Sequence, residues 1–165
     1  MDIKLAIAYW KLGNLPSEDL PKIAMQALES GLDSQSLRVL AGEQNKEMST
    51  LSPLFEKCVK ELNIPVPTNK ESVFIIARHY AQQITSSKIN PIVGAEAIIS
   101  EAYHMSDNED DCDNLLVFSG LSSEYYDFND DVNIKFYGKE KCKDIQEKLS
   151  SDVINEAKIL LGPQA

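Results

Sequence analysis

From Val73 the apolar positions recur at Ile76, Ala77, Tyr80, Ala81 and Ile84. That three-and-four spacing marks one face of an α-helix. Phe74 and Ile75 widen the face, so the helix is expected to be covered on more than one side. Thr68 and Glu71 stand three apart just before it, the spacing of a reciprocal capping box. A second helix is predicted from Asn90 as N-cap, with Pro91 at the first helical position, where its missing N–H is not needed. Ile92, Ile98 and Ile99 supply its apolar area, and Gly94, Ala95 and Ala97 let another element approach closely. The short connection at 87–91 makes these two helices antiparallel neighbours. The pair within Thr68 to His104 is the expected centre of the fold.

The rest of the chain continues the helical pattern. Residues 2–12 are apolar nearly all round and end at Gly13. Asp19 and Pro21 open a helix with Leu20, Ile23, Ala24, Ala27 and Leu28 inside, closed by Gly31. Asp33 or Ser34 caps a short helix carrying Leu37 and Leu40, closed by Gly42. Glu43 to Thr50 reads as a loop, and Ser52-Pro53 as the start of a helix carrying Phe55, Cys58, Val59 and Leu62. Residues 115–137 are ambiguous: Val132, Ile134 and Phe136 alternate as in a strand, so a small hairpin competes with helix there. Lys139 to Leu149 and Ser151 to Leu161 read as helical, with a break expected near Ser150. The pattern predicts an all-α fold of seven or eight helices, with 1–165 as a single helical domain.

Composition adds one decisive feature. The net charge is −10, with 43% hydrophobic and 25% charged residues. Residues 1–88 hold ten basic and ten acidic side chains, whereas residues 89–134 hold eleven Asp and Glu with no Lys or Arg. The imbalance thus lies in one segment. Such a field disfavours nucleic acid and anionic membrane and favours a cationic partner. No apolar run approaches the roughly 20 residues of a membrane span. The first residues lack a basic region and a small-residue cleavage site, so no signal peptide is expected. Cys58, Cys112 and Cys142, odd in number and widely spaced, are expected to be reduced thiols, which points to the cytoplasm.

Candidate chemistry is sparse. Glu101-x-x-His104 has the spacing of a di-iron helix motif, but His79 has Ile76 where a second pair needs glutamate. Asp127-x-Asn129-x-Asp131 matches the first ligands of a calcium loop, then fails at Val132 and Gly138. No phosphate-cradling glycine loop, nucleophile elbow or paired cysteine motif occurs. No enzyme, metal site or cofactor is therefore expected. Tyr125-Tyr126-Asp127-Phe128 sets rings beside carboxylates, which fits either a protein interface or a plug for the helical core.

Glu29 to Glu43, reading ESGLDSQSLRVLAGE, is similar to a "Gly, aromatic or aliphatic, Asp-Ser-x-x-Leu-x-x-Leu-Ala-Gly" pattern of small uncharacterised bacterial helical proteins. Lys88 to Ala95, reading KINPIVGA, looks like a second signature of the same group. The resemblance spans about residues 17–120 and implies a helical fold. The group has no established activity, so no functional residues carry over. Some small acidic helical proteins of this general appearance act as immunity proteins or adaptors, an analogy of form only.

The leading expectation is a non-catalytic module that binds a basic protein surface. Its candidate contacts are Asp107, Glu109, Asp110, Asp111, Asp113, Tyr125, Tyr126 and Asp127. The competing expectation is a housekeeping helical domain whose acidic loop keeps it soluble. A metal-binding or enzymatic protein is a third, and oligomeric state stays open.

Overall fold

The computed structural model describes residues 1–45, 47–107 and 111–162. Among these are nine α-helices, three short 3-10 turns and no strand, so the protein is all-α. The chain divides into two compact units, Met1–Ser72 and Val73–Ala165.

The first unit contains α1 (Ile3–Lys11), α2 (Leu20–Glu29), α3 (Gln35–Gly42) and α4 (Met48–Glu61). The helix ends are set by local bonds. Asp2 accepts from the backbone N–H of Lys4 and Leu5 at 2.8 and 3.1 Å, and Ser34 accepts from Leu37 N–H at 3.2 Å. Gly31 takes φ +91° after α2, and Leu32 N–H then reaches back to the Ala27 carbonyl at 3.1 Å. Asn63 closes α4 in the same left-handed region. Fully buried side chains include Ile7, Leu20, Leu37, Leu40, Leu51 and Phe55. The Trp10 ring meets Phe55 edge-on, and its indole N–H donates to Ser52 Oγ at 2.9 Å.

Here α4 departs from expectation. It begins at Met48 instead of Ser52, so Pro53 lies inside the helix. The proline forfeits the bond to the Ser49 carbonyl. Leu51 and Phe55, on either side, are both fully buried. Their burial stabilises the helix across the defect. Ser52 is no cap, because its hydroxyl serves Trp10.

α5 (Asn69–Thr85) opens on the expected capping box: Thr68 N–H donates to Glu71 Oε2 at 2.7 Å, and Glu71 N–H donates to Thr68 Oγ1 at 3.2 Å. The division between units falls inside this helix. The second unit continues with α6 (Pro91–Glu101), α7 (Leu116–Asp127), α8 (Asp131–Tyr137) and α9 (Lys139–Leu161). On α5, Val73, Ile76, Ala77, Ala81 and Ile84 are buried as the periodicity requires, and Tyr80 is half-buried. Asn90 caps α6 through the N–H of Ile92 at 2.9 Å. What approaches Gly94 is the side chain of Ile84, so close that a Cβ there would stand 2.7 Å from Ile84 Cδ1. α6 packs on α7 and α9, α7 on α9, and α8 on α9.

Residues 115–137 form helices joined by a turn at 128–130, and the hairpin alternative is not realised. A 3-10 turn at Asp113–Leu115 leads into α7, and Asp130 caps α8 by accepting from Val132 N–H at 2.9 Å. The alternation of Val132, Ile134 and Phe136 reports no two-faced burial, because α8 has no fully buried residue. Nor does α9 break at Ser150. The hydroxyls of Ser150 and Ser151 donate to the carbonyls four residues back, at 2.9 Å each, and the helix runs on.

Candidate functional site

The acidic segment is built around α7. Its buried side is Leu115, Phe118 and Ser122, with Tyr125 half-buried one turn on. The complementary positions Leu116, Val117, Gly120, Ser123, Glu124 and Asp127 are all exposed. They form one outward stripe along the helix, apolar near its start, small in the middle and acidic at its end. A Cβ built on Gly120 would meet nothing within 4 Å, so no packing among the described residues requires this glycine. A glycine in a helix interior costs about 1 kcal/mol relative to alanine.

The sequence-predicted contact residues fall around this stripe. Asp107, Asp111, Asp113 and Asp127 are exposed, while Glu109 and Asp110 lie outside the described residues. Asp111 adopts φ +49°, a left-handed conformation uncommon for a non-glycine residue. Asp113 accepts from the Tyr103 hydroxyl at 3.4 Å. Partial burial, then the Asp113 charge, raise the Tyr103 phenol above its ordinary pKa. Asp113 stands before α7 and Asp127 closes it, so the helix separates them. Twelve residues at 1.5 Å each span about 18 Å. The carboxylates therefore make an extended edge and no single pocket of charge.

The tyrosines part company. Tyr125 is half-buried, and its carbonyl accepts from Gln146 Nε2 on α9 at 3.3 Å. Tyr126 is 47% exposed, and its ring meets Tyr125 edge-on with centroids 5.6 Å apart. Partial loss of solvation raises the Tyr126 phenol above its ordinary pKa, helped by the charge of the Glu96 carboxylate on α6. Neither ring is a fully buried plug. Glu96, Glu124, Leu116, Val117 and Gly120 did not figure among the expected contacts. The signal for the four on α7 was the helical period through 115–127, obscured by the competing strand reading, whereas nothing in the sequence placed Glu96 beside Tyr126.

The candidate catalytic and metal motifs do not assemble. α6 ends at Glu101, and His104 sits exposed in a separate 3-10 turn at Tyr103–Met105, so the two do not share a helix face. Asp127, Asn129 and Asp131 span the end of α7 and the start of α8, and Asn133 Nδ2 donates to the Asp127 carbonyl at 2.8 Å. Among the described residues, no three His, Cys, Asp or Glu side chains converge as metal ligands. Cys58, Cys112 and Cys142 are all buried. Burial, with the nearby Glu61 charge, pushes the Cys58 thiol up to about 11, which keeps it protonated and unreactive at neutral pH. A shallow cavity of about 450 Å³ lies at the ends of α5 and α9. Gln82, Thr85, Ser86 and Lys158 line it, with neither carboxylate nor imidazole among the described residues.

The Asp-Ser-x-x-Leu run is absorbed by the fold. Asp33 pairs bidentately with Arg38, with Arg38 Nε donating to Oδ1 at 2.7 Å. The buried Ser36 donates from its backbone N–H and its hydroxyl to the Glu61 carboxylate at 2.9 and 2.8 Å. These bonds hold the Glu61 carboxyl below its ordinary pKa, the backbone donor contributing most. The carboxylate thereby supplies a second cap to α3 from the end of α4. No helix among the described residues is long and apolar enough to cross a membrane. No family model, curated protein or solved structure matches the chain.

Proposed function

We propose that this protein is a non-catalytic, cytoplasmic binding module whose acidic segment, 101–131, receives a basic protein surface. An immunity-type inhibitor or an adaptor is an instance of such a module. The observation that carries the reading is the outward stripe of α7. It sets exposed Leu116 and Val117 on one helix face with Glu124 and Asp127, in a segment with no lysine or arginine. Apolar area with a rim of one charge is the composition of a contact surface. Gly120 supports it, since it leaves the middle of the stripe flat at a cost to the helix that no contact among the described residues offsets. Tyr126, half out of the surface beside Glu96, is suited to anchor a partner.

Such a surface steers by charge and holds by apolar contact. Steering is screened beyond about 8 Å at physiological ionic strength. The test is capture from a native lysate at two salt concentrations, with wild type beside a chain carrying Asp107→Asn, Glu109→Gln, Asp110→Asn and Asp111→Asn. Basic partners that bind the wild type, elute with salt and are lost from the neutralised chain support the reading. Identical partner lists for the two proteins overturn it.

A further inference from the structure

α8 leaves its apolar side uncovered. Val132 and Phe136, one turn apart on the same face, are 69% and 80% exposed. Lys135 lies on the same side, and Lys139 opens α9. Neither lysine has an ion pair among the described residues, while Lys141 lies over the Tyr137 ring at 5.4 Å. Residues 135–143 hold four lysines and one glutamate, directly after a segment of 46 residues with no cation. Exposed apolar side chains grouped with a charged rim mark an interaction surface.

We propose that this apolar, basic face of α8 docks the outward stripe of α7 of a second copy of the chain. The two faces are complementary in both respects. Val132 and Phe136 match the apolar start of the stripe, and Lys135 and Lys139 match Glu124 and Asp127 at its acidic end. One chain carries both faces, so a two-fold axis lets each copy give and receive the same contact, which closes the assembly as a dimer. The inference stands apart from the basic-partner reading, although the two share a surface. In the dimer the α7 stripe is occupied, so a basic partner binds at the expense of self-association.

The test is a charge exchange followed by sedimentation equilibrium across a concentration series. One variant carries Lys135→Glu and Lys139→Glu, and the other Glu124→Lys and Asp127→Lys. All four positions are exposed, and circular dichroism and a melting temperature unchanged at a concentration where wild type is monomeric confirm that the fold is kept. Wild type should move from monomer to dimer mass as concentration rises, and return toward monomer with added salt. Each variant alone should stay monomeric, because its two faces carry one sign. An equimolar mixture should recover the dimer, since both contacts in the mixed pair again join opposite charges. Phe136→Ser should weaken the wild-type dimer without lowering the melting temperature measured at a concentration where wild type is monomeric. Wild type that stays monomeric throughout, a dimer that survives in either charge variant, or variants that fail to pair in the mixture would each overturn the proposal. So would a monomer that binds vesicles of anionic lipid through Lys135 and Lys139, which would assign the face to a membrane surface.

Discussion

Replacing Gly94 with alanine sets two opposing terms against each other, and the packing at α6 decides which prevails. In an open helix the change gains about 1 kcal/mol, because glycine costs the folded helix more backbone entropy. At Gly94 the new methyl would overlap Ile84 Cγ1 and stand 2.7 Å from its Cδ1, with Ile89 Cγ2 at 3.3 Å. Carbon atoms rest comfortably at about 3.5–4.0 Å, so a shift approaching 1 Å is required. Ile84 cannot swing away cheaply. It is 2% exposed, and a β-branched side chain in a helix has one strongly preferred χ1. Overpacking of this kind costs typically about 1–3 kcal/mol. After the helix gain of about 1 kcal/mol is subtracted, Gly94→Ala should destabilise by about 0–2 kcal/mol, against a gain at an open site. Gly120→Ala is the same chemical change where the methyl meets nothing, and it should stabilise by up to about 1 kcal/mol. Urea titrations followed by far-ultraviolet circular dichroism read both as shifts in midpoint at constant slope. A double-mutant cycle isolates the contact: Ile84→Ala should cost less in the Gly94→Ala background than in wild type, with a coupling of about 0.5–3 kcal/mol. If Gly94→Ala stabilises as much as Gly120→Ala, or the cycle closes without coupling, the close approach of Ile84 to α6 is refuted.

Other expectations follow from burial and charge. Ile76→Ala should cost about 2–5 kcal/mol, because Ile76 is fully buried and leaves a cavity, whereas Val39→Ala, at a position 51% exposed, should stay within about 0.5 kcal/mol in the same titration. Glu61→Gln should lower the melting temperature at neutral pH. The folded carboxyl is held below its unfolded pKa, so its stabilisation is full above the unfolded value and is lost as pH falls through the folded one; thermal scans of wild type and variant should converge in acid, and a constant difference down to that range would contradict the Ser36 bonds. Tyr126→Ala should leave the melting temperature near wild type and raise a partner's off-rate, because the ring is half exposed; a large fall in melting temperature would instead make it a core residue.

The features legible in the sequence are those made by bonds between near neighbours. Thr68 and Glu71 cap α5, Ser34 caps α3, Asn90 caps α6, and Gly31 ends α2, each through groups within five residues of one another. Capping chemistry at such separations scarcely depends on the rest of the chain, so residue type and spacing were enough, except at α3, where the sequence offered Asp33 or Ser34 and the structure uses Ser34. The buried stripe of α5 was readable too, since one helical face can hold only one set of positions. The acidic segment was visible as composition, but its surface was not. The α7 stripe emerged only once α6 and α9 had covered the opposite side of that helix. The start of α4 was decided by the burial of Leu51 and Phe55 and by Trp10 drawing on Ser52, a partner 42 residues away. Ser36 and Glu61 meet across 25 residues, and Gly94 is small because of what Ile84 does on another helix. Residue identity determines which local bonds can form. Which side of each helix is left to water depends on what packs against it, and only the tertiary structure decides that.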